Sequence, residues 1–343
     1  MVWTKEQIEA KLKAEASGEK SMLTADEGID VSIEEIESFG NQASIKEMFQ
    51  SIANYNRMLN EKITLINDSL TSVVPFTREN LYLFCAYTGS GKTSTAANIT
   101  YPLWKQGKKT LVISNEESAQ DILFRIACLE TGLSFNAYKK GQMTIDDQKR
   151  CCILFPEIAR YVKILDVGWK NGFTTKLEGV KAALEGVKDK DYSCILIDYF
   201  QLIKYSIMDP SKKTYDVLND FRIFMGRFIK QSNCPIAIFA QLHSSEKRGG
   251  AKAIDARLKE CPAIVEPATV IIEIAPNFEN ETTDFLIVKD RFGAAGKKIV
   301  CPFEKGRFLN QMDAKQLAER KLVKLQAQQQ TPVAGTTGAE DEI

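Results

Sequence analysis

The segment that most constrains the fold is a short apolar run followed by a glycine-rich turn. Leu81–Ala86 is apolar and predicts a buried strand, and residues 88–93 read Thr-Gly-Ser-Gly-Lys-Thr. A helical stretch from Ser94 to Gln106 follows and is expected to stop at Gly107. The order of strand, G-x-x-x-x-G-K-[ST] and helix indicates a phosphate-binding loop, with Ala86 where the pattern has its first Gly.

The chemistry of such a loop assigns a task to each residue type. Backbone N–H groups at a helix N-terminus converge on a polyphosphate, and Gly89 and Gly91 permit the required backbone conformations. Lys92 would reach the β- and γ-phosphates, and the Thr93 hydroxyl would ligate Mg²⁺. The alternative is a glycine-rich turn with a chance lysine. The predicted nucleotide contacts are Ala86, Tyr87, Thr88, Gly89, Ser90, Gly91, Lys92, Thr93 and Ser94.

Composition limits the other classes of function. The chain has 343 residues with 45 basic and 45 acidic ones, which argues against bulk electrostatic binding of nucleic acid but leaves room for a local basic patch. Its eight Cys form no C-x-x-C pair and there is one His, so the cysteines are interpreted as reduced core residues. The sequence shows no N-terminal signal and no long apolar run, and a cytoplasmic location is expected.

Apolar runs and amphipathic segments alternate after the loop. This predicts an α/β fold with a mostly parallel sheet flanked by helices, in which the late strands are antiparallel, plus a short N-terminal helical segment. Strands are predicted over 109–115, 161–167, 193–198, 235–241, 269–274, 284–289 and 297–301, and helices from 118, over 144–160, over 175–187 and over 214–231.

Four regions are predicted. Residues 1–43 form a polar acidic arm, which is either solvated or a docking site. Residues 44–75 carry a capped amphipathic helix over 44–63 that packs on its own core or on a neighbouring subunit, and 76–312 form the ATPase domain. In 313–343, a helix over 313–326 precedes a disordered acidic tail, 327–343, which is either a tether to a partner or inert.

Polar residues end several of the predicted strands. Asp198 closes an apolar strand and fits a carboxylate that holds Mg²⁺ beside the loop, the alternative being an Asp that caps a turn. Glu116 and Glu117 follow another strand, and either could polarise an attacking water or be ordinary turn residues. Gln241 ends a third strand and could sense the γ-phosphate, whereas His243 is interpreted as a loop residue.

Two basic clusters follow. The loop over 242–260 is a candidate for contact with a phosphate backbone, although it lacks interleaved aromatic residues; the alternative is a solvated loop. Its basic residues are Lys247, Arg248, Lys252, Arg257 and Lys259. Lys289 and Arg291 end the strand before Gly293 and could reach the nucleotide of a neighbouring subunit.

Taken together, these pieces resemble the ATPase domain of DnaB-type replicative helicases, which has a RecA-like fold. The resemblance covers about residues 60–310. It is carried by Ser114–Glu117 with Arg125, Gly141–Met143, Ile197–Leu202, Ala240–Ser244, Leu258–Glu260 and Lys289–Gly293. It implies that Glu116 is the catalytic glutamate, that Lys259 and Glu260 lie in a DNA-contacting loop, and that Lys289 and Arg291 act across a subunit boundary.

The same resemblance implies a ring, with a hexamer expected, that couples hydrolysis of ATP or another NTP, with Mg²⁺, to movement on single-stranded DNA. Implied partners are a primase, a helicase loader, a single-strand-binding protein or a polymerase. Ala86 and Pro262 depart from the family pattern, and the family's helical N-terminal domain is not expected within the first 75 residues, which suggests a compact phage or mobile-element form. Two rivals stay open: a RecA-like recombinase filament, and a nucleotide-gated loader or scaffold without unwinding.

Overall fold

The computed structural model describes nine stretches of the chain: 23–24, 28–29, 63–166, 175–187, 191–204, 214–232, 234–243, 257–258 and 262–330. The chain divides into two compact units. One comprises Met1–Ile63 and Pro75–Arg78, and in it Leu23–Thr24 pairs antiparallel with Gly28–Ile29. The other comprises Thr64–Val74 and Glu79–Ile343 and holds the fold that follows. The helix predicted over 44–63, except for Ile63, and the tail from residue 331 lie outside the described residues.

One sheet organises this second unit. Its strands lie in the order β9-β8-β7-β6-β1-β5-β4-β2-β3. The pairings from β6 through β1, β5, β4 and β2 to β3 are parallel, and those of β6 with β7, β7 with β8 and β8 with β9 are antiparallel. The strands are β1 Leu81–Ala86, β2 Thr110–Ser114, β3 Val162–Leu165, β4 Cys194–Asp198, β5 Ile236–Gln241, β6 Val270–Asn277, β7 Thr282–Asp290, β8 Lys298–Glu304 and β9 Arg307–Phe308.

Strand β1 is central and fully buried. All six of its residues are buried, as expected where helices cover both faces of a parallel sheet. Leu81, Leu83 and Cys85 belong to the same apolar core as residues of β2, β4 and β5. Phe84 points to the opposite face because side chains alternate along a strand, and its ring stacks on that of Phe239 at 5.3 Å.

Helices flank the sheet, and several begin at the side-chain caps that the sequence predicts. Ser118 and Thr144 each accept a hydrogen bond from the backbone N–H three residues later. The helices are α1 Asp68–Thr71, α2 Lys92–Lys105, α3 Ala119–Thr131, α4 Phe135–Lys139, α5 Ile145–Cys152, α6 Phe155–Tyr161, α7 Leu177–Glu185, α8 Thr214–Phe228 and α9 Ala314–Gln330. None of these described helices combines the length and the apolar character that a membrane span requires.

The prediction of one continuous helix over 144–160 is wrong. The structure breaks it at Ile153–Leu154 into α5 and α6. Pro156 explains the break, since a proline has no N–H to donate within a helix and is tolerated only in the first turn. It occupies the second position of α6.

Other boundaries also differ from prediction. Thr175 was expected to cap the next helix, but the N-cap is Lys176, which pairs with Lys204 in a parallel bridge. Residues 327–330 were expected to be disordered, yet α9 runs to Gln330, because glutamine and alanine favour helix. The predicted alternation of strands and helices, with antiparallel late strands, is confirmed.

Asn67 joins α1 to the end of the sheet and provides a test of this packing. Its side chain accepts a hydrogen bond from Leu70 N and donates to Leu309 O at 2.9 Å and to Phe308 O at 3.3 Å. Substitution Asn67→Ala leaves these buried groups without partners and should lower the free energy of unfolding by about 2–4 kcal/mol in urea titration.

The matched control is Ser134→Ala, which removes the exposed N-cap of α4. It should cost about 1 kcal/mol or less. Equal losses for the two substitutions would contradict the role given to Asn67.

Candidate nucleotide-binding site

The phosphate loop leaves the sheet at the carboxyl end of β1. Gly89 and Gly91 have φ values of 74° and 87°, in the left-handed region that favours glycine. A Cβ at Gly89 would meet no heavy atom within 4 Å, so the backbone conformation requires glycine there. Gly91 is the N-cap of α2, and the helix N-terminus therefore opens into the loop.

The missing first glycine has a structural reason. Ala86 is the last residue of β1 and pairs with Gln241 on one side and Ile274 on the other. It has an ordinary extended conformation and is fully buried. An alanine therefore satisfies a position that needs a small residue in a strand and no left-handed backbone.

Lys92 and Asp198 form the charged centre of the site. Lys92 is the first residue of α2, is 8% exposed, and lies with its Nζ 5.2 Å from the centre of the Tyr199 ring. Burial lowers the pKa of Lys92, and the charges of Asp198 and Glu116 oppose that shift. Asp198, at the end of β4, is 2% exposed. Burial raises its pKa to about 6, while a hydrogen bond from Thr93 and the charge of Lys92 act in the opposite direction.

The oxygen atoms here fit a magnesium ion. Asp198 Oδ1 is buried and finds no hydrogen-bond partner among the described residues, and the Thr93 hydroxyl is bonded to the same carboxylate. Mg²⁺ prefers one or two protein oxygens, with waters and substrate phosphates completing its shell. Elsewhere in the described residues no cluster of three or more His, Cys, Asp or Glu could hold a metal.

The two adjacent acids after β2, Glu116 and Glu117, differ in their contacts. Glu117 is held by an ion pair to Arg125 at 2.6 Å, and its backbone N–H and carbonyl both bond to the Ser114 hydroxyl. Glu116 is exposed and acts on the pKa values of Lys92 and Asp198. The charges of both acids help to raise the pKa of Asp198, but of the two only Glu116 also acts on Lys92.

Gln241 is in direct contact with the phosphate loop. Its Nε2 donates to the Thr88 hydroxyl at 2.6 Å. The backbone at Gln241 is held by the buried side chain of Gln201, which donates to its carbonyl at 3.1 Å and accepts from its N–H at 3.2 Å. Gln201 received no role from the sequence, although it lies within Ile197–Leu202, one of the segments that carry the family resemblance.

A cleft of about 500 Å³ opens beside the phosphate loop. The Arg125 guanidinium lies over the Phe135 ring at 3.9 Å, and Arg125 also donates to the Ser94 hydroxyl. No local pattern in the sequence predicts this surface, because it joins residues more than a hundred positions apart. Its lining includes Ser94, Arg125, Phe135, Asn136, Phe278, Phe303 and Lys305.

The structure corrects the prediction that Arg257 contacts DNA. Both of its terminal nitrogens donate to the Glu273 carboxylate, at 2.7 and 2.6 Å, and its side chain is 17% exposed. A guanidinium engaged in this way is not free for a phosphate backbone. The other basic-loop residues predicted to contact DNA, Lys247, Arg248, Lys252 and Lys259, lie outside the described residues, as does Glu260.

Lys289 and Arg291 lie at the opposite edge of the sheet from the phosphate loop. Strand β7 runs antiparallel to β6, so Asp290 pairs with Val270, which in turn pairs with Tyr82 near the start of β1. The loop leaves β1 after Ala86, about 13 Å further along the strand. Both side chains donate to carbonyls of residues 265–266, Lys289 to Val265 O at 2.8 Å and Arg291 to Glu266 O at 3.3 Å.

The raised pKa of Asp198 predicts a stability gain from Asp198→Asn. A carboxyl with a pKa of about 6 in the folded chain and 3.8 as its ordinary value destabilises the fold once both states are ionised. Without Mg²⁺ or nucleotide, the variant should be more stable by about 3 kcal/mol at pH 8, and the gain should fall to about half at pH 5. Urea titration at several pH values measures this. Asp146→Asn, at an exposed carboxylate, is the control, and a gain that does not depend on pH would contradict the burial of an ionised Asp198.

Comparisons with known proteins agree with this geometry. The family model described as "DnaB-like helicase C terminal domain" matches residues 68–310. The replicative DNA helicase DnaB of Geobacillus stearothermophilus is 22% identical over 67% of this chain and 51% of its own length, and the replicative DNA helicase DnaC of Bacillus subtilis is 22% identical over 64% and 50%. The chain thus spans about half the length of these curated relatives.

Two solved structures share the fold. The ATPase domain of G40P has a TM-score of 0.61 at 15% identity and covers 82% of this chain and 100% of its own. A DnaB-like replicative helicase, solved in a study of its interactions with primase, has a TM-score of 0.60 at 16% identity and covers 90% and 72%. The predicted RecA-like fold is confirmed. With its phosphate loop, buried Asp198 and parallel sheet inside the matched segment, the chain belongs to the DnaB-like helicase C-terminal domain family.

Proposed function

We propose that this chain is the motor of a ring-shaped replicative DNA helicase, which couples NTP hydrolysis between subunits to movement along single-stranded DNA. The observation that carries the proposal is the separation of two basic groups across the sheet. Lys92 lies at the carboxyl edge, while Lys289 and Arg291 lie at the amino edge. Because Arg291 is too far from its own phosphate loop, a second copy of the chain is needed to bring the two together.

Within one subunit, the residues divide the work of phosphoryl transfer. Lys92 and the backbone N–H groups of residues 89–91 hold the phosphates, and Thr93 and Asp198 would hold Mg²⁺, which neutralises charge on the phosphates. Glu116 orients the attacking water and accepts its proton. The Gln241 side chain, which donates a hydrogen bond to Thr88 in the phosphate loop, would respond to loss of the γ-phosphate. The cleft lined by Arg125, Phe135 and Phe303 has room for the ribose and base.

Contact with DNA is proposed from sequence for Lys247, Arg248, Lys252, Lys259 and Glu260. The DnaB-like relative was solved in a study of its interactions with primase, and a primase is the first protein partner that we propose for this chain. A loader, a single-strand-binding protein or a polymerase are further proposed partners, and the cytoplasm is the proposed location.

Complementation between two inactive variants tests the shared site. Lys92→Ala removes the phosphate ligand and should abolish hydrolysis. Arg291→Ala should spare nucleotide binding but lower the DNA-stimulated rate by roughly 10³-fold, the effect typical of a lost arginine finger. When the two variants are mixed, a site formed by Lys92 of one and Arg291 of the other is complete, so hydrolysis should return.

Lys297→Ala is the control for this experiment, because it removes an exposed lysine near Arg291. It should leave the rate unchanged. A mixture that stays inactive, or an Arg291→Ala protein with the normal rate on DNA, would refute action across the subunit boundary.

Strand displacement on a forked duplex tests the motor itself. With NTP and Mg²⁺ the wild-type chain should release the displaced strand, and Lys92→Ala should not. Strand exchange that requires homologous DNA would instead identify a recombinase filament, and nucleotide binding without either activity would identify a loader or scaffold.

A further inference from the structure

An acid interrupts the apolar run of β6. Glu273 lies in the centre of β6 between Ile272 and Ile274 and is 9% exposed. It pairs in register with Cys85 of β1, and its charge raises the pKa of that buried thiol further above the value that burial alone gives. A carboxylate in such surroundings is costly unless it is paired and hydrogen-bonded.

Arg257 provides that pairing in a two-pronged geometry. Its terminal nitrogens meet the two carboxylate oxygens of Glu273 at 2.7 and 2.6 Å, an arrangement that fixes orientation as well as charge. The guanidinium also hydrogen-bonds to the phenol of Tyr87, the first residue after β1. The pKa of Arg257 is raised most by its hydrogen bonds to Glu273, less by the negative charge of Glu273, and least by Tyr87.

The backbone of Arg257 is attached to a different strand. Its carbonyl accepts a hydrogen bond from His243 N at 2.9 Å, and Leu258 pairs antiparallel with Leu242. Leu242 and His243 directly follow Gln241 at the end of β5, and Leu242 N donates to Ala86 O at 2.9 Å. Arg257 therefore joins the extension of β5 to β6, across the point where β1 becomes the phosphate loop.

We propose that Arg257 is a positioning residue that couples the phosphate loop to the chain segment between His243 and Arg257. On one side Arg257 contacts Tyr87, next to the phosphate loop, and on the other its carbonyl accepts a hydrogen bond from His243 N, the residue just before the segment. The segment over 244–256 carries three of the four basic residues that we assign to DNA, Lys247, Arg248 and Lys252, so the inference rests on the proposed function. Binding of DNA there would act on the phosphate loop through the Arg257–Glu273 pair.

The test compares hydrolysis with and without single-stranded DNA. The double variant Arg257→Met with Glu273→Leu removes both charges and fills the space with apolar side chains, a replacement that folded proteins often tolerate. We expect an unchanged urea midpoint and nearly the wild-type rate without oligo-dT. The ratio of the rates with and without oligo-dT should fall by roughly 3- to 30-fold. Arg257→Lys keeps the charge but loses the two-pronged contact and should give an intermediate ratio.

Arg320 and Glu304 form the matched control pair, also an Arg–Glu contact, at 2.9 Å, but with a more exposed glutamate. The same Met and Leu replacements there should leave the ratio unchanged. A purely structural role for Arg257 would lower the urea midpoint and both rates together, without changing their ratio.

The outcomes separate the two hypotheses. A wild-type rate that oligo-dT does not raise overturns the proposed function and this inference with it. A stimulated wild type with the same ratio in the folded double variant overturns this inference alone. If the double variant does not fold, Arg257→Lys decides: an unchanged ratio refutes the coupling role, and a reduced one supports it.

Discussion

The parallel pairing of β1 with β5 and β6 is the interaction on which the site depends. Parallel strands present their carboxyl ends at one edge, so β1, β2, β4 and β5 bring the phosphate loop, Glu116, Asp198 and Gln241 together from positions far apart in the chain. Their apolar side chains pack on both faces and hold that edge rigid. Asp198 and Gln241, which end β4 and β5, can then be polar because they face the site instead of the core.

The site also lowers the free energy of unfolding of the empty protein. Asp198 is a buried carboxylate with one oxygen that has no partner among the described residues, and burial raises its pKa. Such a group is costly in the empty site and is satisfied when a cation arrives. Glu273 is a second buried carboxylate in the same sheet, and its charge is compensated by the ion pair with Arg257. Two buried acids thus differ in what compensates them: an internal partner for Glu273, and a bound cation for Asp198.

Much of this could be predicted from the sequence because strands and loops leave local patterns. The apolar runs located the strands of the parallel sheet to within a few residues, and the polar residues after those runs gave Asp198, Gln241 and the adjacent acids Glu116 and Glu117 as candidates, between which only the family resemblance chose. Side-chain contacts between distant segments could not be predicted. Nothing in the sequence pairs Gln201 with Gln241 or Arg257 with Glu273, and nothing in it places Phe135 and Phe303 along one cleft. The break before Pro156 was missed, although the proline itself marks it in the sequence.

The placement of Arg291 and the phosphate loop at opposite edges of one sheet has a consequence for assembly. If each complete site takes Lys92 from one copy and Arg291 from the next, every copy uses two different surfaces, and contacts run head to tail. An open row of such copies always has one incomplete site at its end, whatever its length, whereas a closed ring has none. Closure of such a row into a ring would then add one working site without any new type of contact.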